Sequence, residues 1–210
     1  LASEYKNENS YTVWAELSIG LRKIFILISD SLFVDEYRTF AQSIFDKAVN
    51  QIGWSPKENE SHETALLRSL LISNAGDYGQ ASTIETATKL MYDFLHDGVP
   101  VPADLRGAVY SIATSQMDEA DFNKILELYK KEKLHEEQGR LGRALASFKD
   151  KKLLLKTLNF ALSNDVRSQD TLSLIAGVWS NSDGRDLAWN FVKNNWKIFL
   201  ERYGSGGYAL

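Results

Sequence analysis

The sequence predicts an all-α protein, a HEAT/armadillo-like α-superhelix of about ten antiparallel helices. Three observations predict it. Apolar residues recur at spacings of three and four along nearly all of the 210 residues, the signature of helices with one buried face. No stretch shows sustained alternation with β-branched residues, so no strand is expected. Ten such segments correspond to one helix pair per roughly 42 residues, inside the period of helical-pair repeats, and short connections make successive helices antiparallel. An irregular helical bundle is the alternative that the same pattern allows.

In order along the chain, Trp14, Leu17, Leu21, Ile24, Phe25 and Ile28 define a first helix over roughly residues 10–31. Tyr37, Phe40, Ala41, Ile44 and Ala48 define the second, which Gly53 should end. Leu66, Leu67, Leu70 and Leu71 form a third stripe, with a stop expected near Asn74-Ala75-Gly76. Ser82-Thr83-Ile84-Glu85 reads as a capping box, in which the Ser oxygen takes one free N–H and the Glu reaches back to another. The fourth helix carries Ile84, Ala87, Met91, Phe94 and Leu95, and Gly98-Val99-Pro100-Val101-Pro102 forces an extended connection, because proline disfavours helix in the residue before it.

Leu105, Val109, Ile112 and Ala113 mark the fifth helix. Asp118 should cap the sixth, with Phe122, Ile125, Leu126 and Tyr129 inward. Leu141, Leu145 and Phe148 mark the seventh; Leu154, Leu158, Ala161 and Leu162 a short eighth, broken at Asn164-Asp165; Leu172, Ile175, Ala176 and Trp179 the ninth. Asp183 is placed to cap a tenth that runs through Ala188, Val192, Trp196, Phe199 and Tyr203. Gly204, Gly206 and Gly207 then read as a flexible tail. Composition barely changes from end to end, so residues 1–210 are expected to be a single helical repeat domain.

Composition excludes several functions. With 24 Lys+Arg against 28 Asp+Glu, the formal charge of −4 gives no general reason to bind phosphate backbones, so no nucleic-acid partner is expected. Zero Cys rules out disulfides and thiolate metal sites and fits a reducing, cytoplasmic setting. The longest apolar run, Ile24 to Ile28, is far below the ~20 residues that span a bilayer, so no membrane partner is expected. The opening Leu1-Ala2-Ser3-Glu4-Tyr5 has neither an initiator Met nor a leader pattern and reads as an internal cut.

A catalytic constellation is missing. His62, His96 and His135 lie more than 30 residues apart, and neither His62-Glu63 nor His135-Glu136 has the second His one helical turn on that zinc binding requires. Both read as solvated helix starts, and no metal site is expected. There is no Gly-x-Ser-x-Gly elbow and no phosphate-cradling loop. Asn59-Glu60-Ser61 matches a glycosylation acceptor, a three-residue pattern too common to weigh.

What stands out is a basic stretch. Between Glu127 and Lys156 there are nine Lys/Arg against five acids. One reading is a cationic surface for an anionic group, such as a peptide carboxylate held by paired N–H donors of Arg140 or Arg143; the other is a solvated helix face. Trp14 and Trp179 lie on apolar stripes and are expected in the core. Arg68 and Arg106 sit beside apolar stripes and, if half-buried, must be paired with carboxylates or carbonyls.

An ordered set of strings adds a resemblance. Tyr11-Thr12-Val13-Trp14, Ile52-Gly53-Trp54, Leu66-Leu67-Arg68, Val101-Pro102-Ala103-Asp104-Leu105-Arg106 with Val109-Tyr110, Arg140-Leu141 with Ala144-Leu145, Gln169-Asp170, and Ala188-Trp189-Asn190-Phe191 with Asn195-Trp196 together resemble the C-terminal helical domain of the zinc aminopeptidases that carry HExxH and Gly-x-Met-Glu-Asn motifs. The similarity covers essentially the whole chain. It implies a HEAT-like superhelix that caps a thermolysin-like catalytic domain, closes a chamber over the peptide and gates access to it. It also implies a parent catalytic domain and a peptide substrate as partners, zinc in the parent and not in this chain, and in some members a homodimer. Neither motif occurs here, so the family's catalytic residues carry over to no position, and no activity is expected of this chain alone. The chain is expected to be a fragment truncated at both ends, with an unpaired apolar surface near Tyr208-Ala209-Leu210. A stand-alone helical scaffold that binds a protein or peptide in its groove is the competing reading.

Overall fold

The computed structural model describes residues 2–29 and 31–204. Among them, eleven α-helices and two short 3-10 helices appear, with no strand. They are α1 (Tyr11–Leu27), α2 (Val34–Ile52), α3 (His62–Asp77), α4 (Ala81–Asp97), α5 (Arg106–Thr114), α6 (Glu119–Lys131), α7 (His135–Leu145), α8 (Lys151–Ala161), α9 (Ser168–Ser180), α10 (Arg185–Asn194) and α11 (Trp196–Tyr203), with 3-10 turns at Ala2–Asn7 and Ala103–Leu105. The helices gather into two compact units, residues 1–112 and 113–210, the division falling inside α5.

In the first unit α2 and α3 pack together and α1 lies against both. Trp14 and Phe45 meet at 5.4 Å in the core, and the Trp14 indole donates to the Glu8 carbonyl. Gly53, at φ 72, ends α2 where its N–H bonds the Val49 carbonyl, as a residue without Cβ can do at no steric cost. Arg68 is buried and donates to the Gly53 carbonyl and, through two nitrogens, to Glu60, so α3 is tied to the loop before it. Half-buried Arg106 donates to the Val101 carbonyl. Both arginines are partnered, as their sequence position requires.

In the second unit side chains catch the last carbonyls of neighbouring helices. Thr157, buried in α8, donates to the Leu145 carbonyl that ends α7. Thr171, buried in α9, donates to the Ala161 carbonyl that ends α8. Asn181 donates to the carbonyls of Ala146 and Phe148. Two small-residue contacts set the distance between α7 and α9. A Cβ on Gly142 would lie 2.9 Å from the Leu174 side chain, and one on Gly177 2.9 Å from that of Ala146. Both steps run the same way along the two helices, so α7 and α9 are parallel, with α8 between them in sequence and in contact with both.

Several sequence expectations are corrected. α1 spans 11–27, and its buried side is Trp14, Ser18 and Leu21; Ile24 faces solvent because the stripe steps through Ser18 instead. Phe40, Leu66 and Ala176 are also exposed. α3 continues past Asn74-Ala75-Gly76, because Gly76 gives Ile112 room against the helix; it stops where Gly79 turns to φ 85. The Ser82–Glu85 capping box does not form. α4 starts two residues earlier, behind Gln80, whose amide oxygen accepts from Thr83 and whose amide nitrogen donates to Asp46. Asp183 does not cap α10; Gly184 precedes the helix, and the Asp183 N–H is bonded to Asn181. The expected tenth helix is two, because the backbone leaves helical geometry at Asn195, and Trp196 is exposed.

Trp179 is not in the core either. It lies 43% exposed, packed edge-on against Trp189, while the buried stripe of α9 is Thr171, Leu174, Ile175 and Val178. Asp118 does cap α6, accepting from Ala120 and Asp121, and His62 and His135 open α3 and α7 as exposed residues. Gly206, Gly207 and the Tyr208-Ala209-Leu210 end lie outside the described residues.

Candidate functional site

The basic stretch folds as α6, α7 and α8, and a cleft of about 270 Å³ opens among the end of α6 and the first turns of α7 and α9. Local hydrogen bonds shape it. At the end of α6, Glu132 accepts from the N–H groups of Lys133 and Leu134, which turns the chain into α7. From α7 the Gln138 amide nitrogen then donates back to the Tyr129 and Glu132 carbonyls, supplying the donors that a helix C-terminus lacks. The floor is Tyr129, Gly142 and Leu174; Gly139 leaves the α7 wall bare; Asp170 and Ser173 line the α9 side. Neither α7 nor α9 has a side-chain cap on its N-terminal N–H groups, so both helix dipoles present their positive ends here.

The two arginines offered as alternative holders of a carboxylate have different surroundings. Arg140 donates to Glu137 at 2.9 Å and to Glu136 at 2.5 Å, three and four residues before it in the same helix, and does not line the cleft. Its charge is spent within α7. Arg143 lines the cleft, and its guanidinium has no hydrogen bond or ion pair among the described residues.

Tyr129 is the residue that sequence reasoning missed. It was legible as an inward-facing side chain, but nothing in the pattern marked its hydroxyl. The residue is 3% exposed, its ring edge packs on Phe160 at 5.2 Å, and its hydroxyl has no partner among the described residues. Burial pushes its pKa up, the negative charge of Asp170 adds to this, and Arg167 partly opposes it. The hydroxyl therefore stays protonated at neutral pH and is a donor. Asp170 accepts from Arg167 at 2.6 Å through one oxygen.

The cleft is a notch lined mainly by polar residues. Among the described residues no group of three or more His, Cys, Asp or Glu converges as a metal ion would need, and His62, His96 and His135 stand on three different helices. Among the described residues, no helix is long and apolar enough to cross a membrane.

Fold and cleft together define an all-helical domain with a small polar notch. The family model for the ERAP1-like C-terminal domain matches residues 1–210, and the chain belongs to that family. It is 31% identical to aminopeptidase M1 of Arabidopsis thaliana over 98% of this chain and 24% of that protein. It is 24% identical to the puromycin-sensitive aminopeptidase of Caenorhabditis elegans over 100% of this chain and 22% of that protein. With the glutamyl aminopeptidase of Homo sapiens the identity is 28% over 97% of this chain and 21% of that protein. The chain thus spans about a quarter of the length of the curated relatives it matches.

Proposed function

We propose that this chain is the non-catalytic C-terminal domain of a zinc aminopeptidase, which encloses the chamber in which a partner catalytic domain removes N-terminal residues from peptides. The observation that carries the reading is the family match over the entire chain, together with relatives that are aminopeptidases several times its length. In this reading the helices stack as a HEAT-like superhelix over the chamber, zinc belongs to the catalytic domain, the setting is the cytoplasm, and two copies of the parent associate. Arg143, the open member of the basic pair, contacts an anionic group of the peptide, and Arg140 does not.

The test compares the parent polypeptide with this chain on aminoacyl reporters. Zinc-dependent release of amino acids by the parent, and none by this chain, is the expected result; zinc-dependent release by this chain alone overturns the reading. In the parent, Arg143→Ala should raise KM for peptides with a free carboxyl end and leave aminoacyl reporters unchanged. Sedimentation of the parent reads the association, and a single monomeric species at micromolar concentration rejects it.

A further inference from the structure

The cleft holds more than an isolated cation. Its unpartnered donors are the Arg143 guanidinium and the hydroxyl of Tyr129, a residue 3% exposed, set where two uncapped helix N-termini meet. Those groups suit one carboxylate. Yet Glu136 and Asp170 stand on its walls, each with one oxygen engaged by an arginine, at 2.5 Å from Arg140 and 2.6 Å from Arg167. A ligand with an ammonium group beside its carboxylate would meet both signs in place, and so gain a contact that a plain carboxylate lacks.

We propose that this cleft is a binding site for a free α-amino acid, whose carboxylate is held by Arg143 and Tyr129 and whose ammonium faces the carboxylates of Asp170 and Glu136. The bare wall at Gly139 and the Leu174 floor leave space for a modest apolar side chain. The meaning of the site rests on the aminopeptidase reading above. There a free amino acid is the released product, and its occupancy of Arg143 competes with the carboxyl end of a peptide. The binding itself does not depend on that reading.

Titration calorimetry on this chain with L-leucine, N-acetyl-L-leucine and L-leucinamide tests it. Leucine should bind, and each blocked analogue should bind at least about tenfold more weakly, since each loses one charge-assisted set of hydrogen bonds. Arg143→Ala and Tyr129→Phe should weaken leucine by a similar factor. Gly139→Leu should abolish binding, because its side chain enters the cleft beside the Arg143 guanidinium, which lies 3.6 Å from the added Cβ, and fills it without disturbing the core. Equal binding of N-acetyl-leucine overturns the proposal in favour of a plain carboxylate site for peptide ends. Equal binding of leucinamide, or no binding of leucine, overturns it outright. None of these outcomes changes reporter hydrolysis by the parent, so the two proposals fail separately.

Discussion

Arg68 and Glu60 form a two-point ion pair with side chains 2% and 8% exposed, and the same guanidinium holds the Gly53 carbonyl at 3.0 Å. One side chain therefore fixes the end of α2, the loop and the start of α3. Arg68 holds the Glu60 carboxyl down at about 2, well below its ordinary 4.5. A carboxylate with a lowered pKa contributes stability that is fully present above its unfolded value and is lost as pH falls through its folded one. The difference in stability between the wild type and Glu60→Gln should be constant above about pH 5 and shrink between there and pH 2. Denaturant melts at a series of pH values measure it. Arg68→Ala, which removes the two-point partner of the Glu60 carboxylate and a donor to the Gly53 carbonyl, should lower stability at pH 7.

Gly76 and Gly139 both lie inside helices, yet the same substitution should have opposite signs. A Cβ at Gly76 would lie 2.5 Å from two carbons of the buried Ile112 side chain, so Gly76→Ala overpacks the first unit and should cost about 1–3 kcal/mol. At Gly139 the nearest atom is the end of Arg143 at 3.6 Å, so Gly139→Ala gains helix propensity and should stabilise by up to about 1 kcal/mol. Urea midpoints for the two variants decide the matter.

Thr157 and Thr171 supply the carbonyl-catching hydroxyls of α8 and α9 at 3.0 and 2.9 Å. Thr157→Val and Thr171→Val keep the shape and remove the donor, leaving a buried carbonyl with one bond fewer. Each should cost about 1–3 kcal/mol, with helix content by circular dichroism unchanged below the transition.

Trp14 and Trp179 should behave differently although both sit on apolar stripes. Trp14 is wholly buried, so Trp14→Ala should cost about 3–5 kcal/mol, while Trp179→Ala should cost far less. Iodide quenching checks the environment directly. The quenched fraction should fall when Trp179 is removed and rise when Trp14 is replaced by Phe, because the wholly buried indole contributes emission that iodide does not reach.

Helices were the most legible part of the molecule, because a spacing of three and four survives whatever the helix packs against. The Asp118 cap was legible too, since its side chain needs only the next turn. What escaped was decided by distant residues. Gly76 reads as a stop but serves Ile112, Ser82 reads as a cap but Gln80 is held in place by Asp46, and Trp179 lies on an apolar stripe but finds Trp189 at the surface. The same holds at the cleft. Its cationic character was plain, and the spacing of Glu136 and Glu137 before Arg140 carried the signal that this arginine is engaged within its helix. The role of Tyr129, and the room made by Gly139 and Gly142, depend on how α6, α7 and α9 come together.

The hydroxyls of Thr157 and Thr171 have a consequence for motion. Each joins the tail of one helix to the body of the next, so unwinding the last turn of α7 releases α8, and unwinding that of α8 releases α9. Exchange of their amide hydrogens should follow a single shared opening event, which makes these three helices one block that loosens together or not at all.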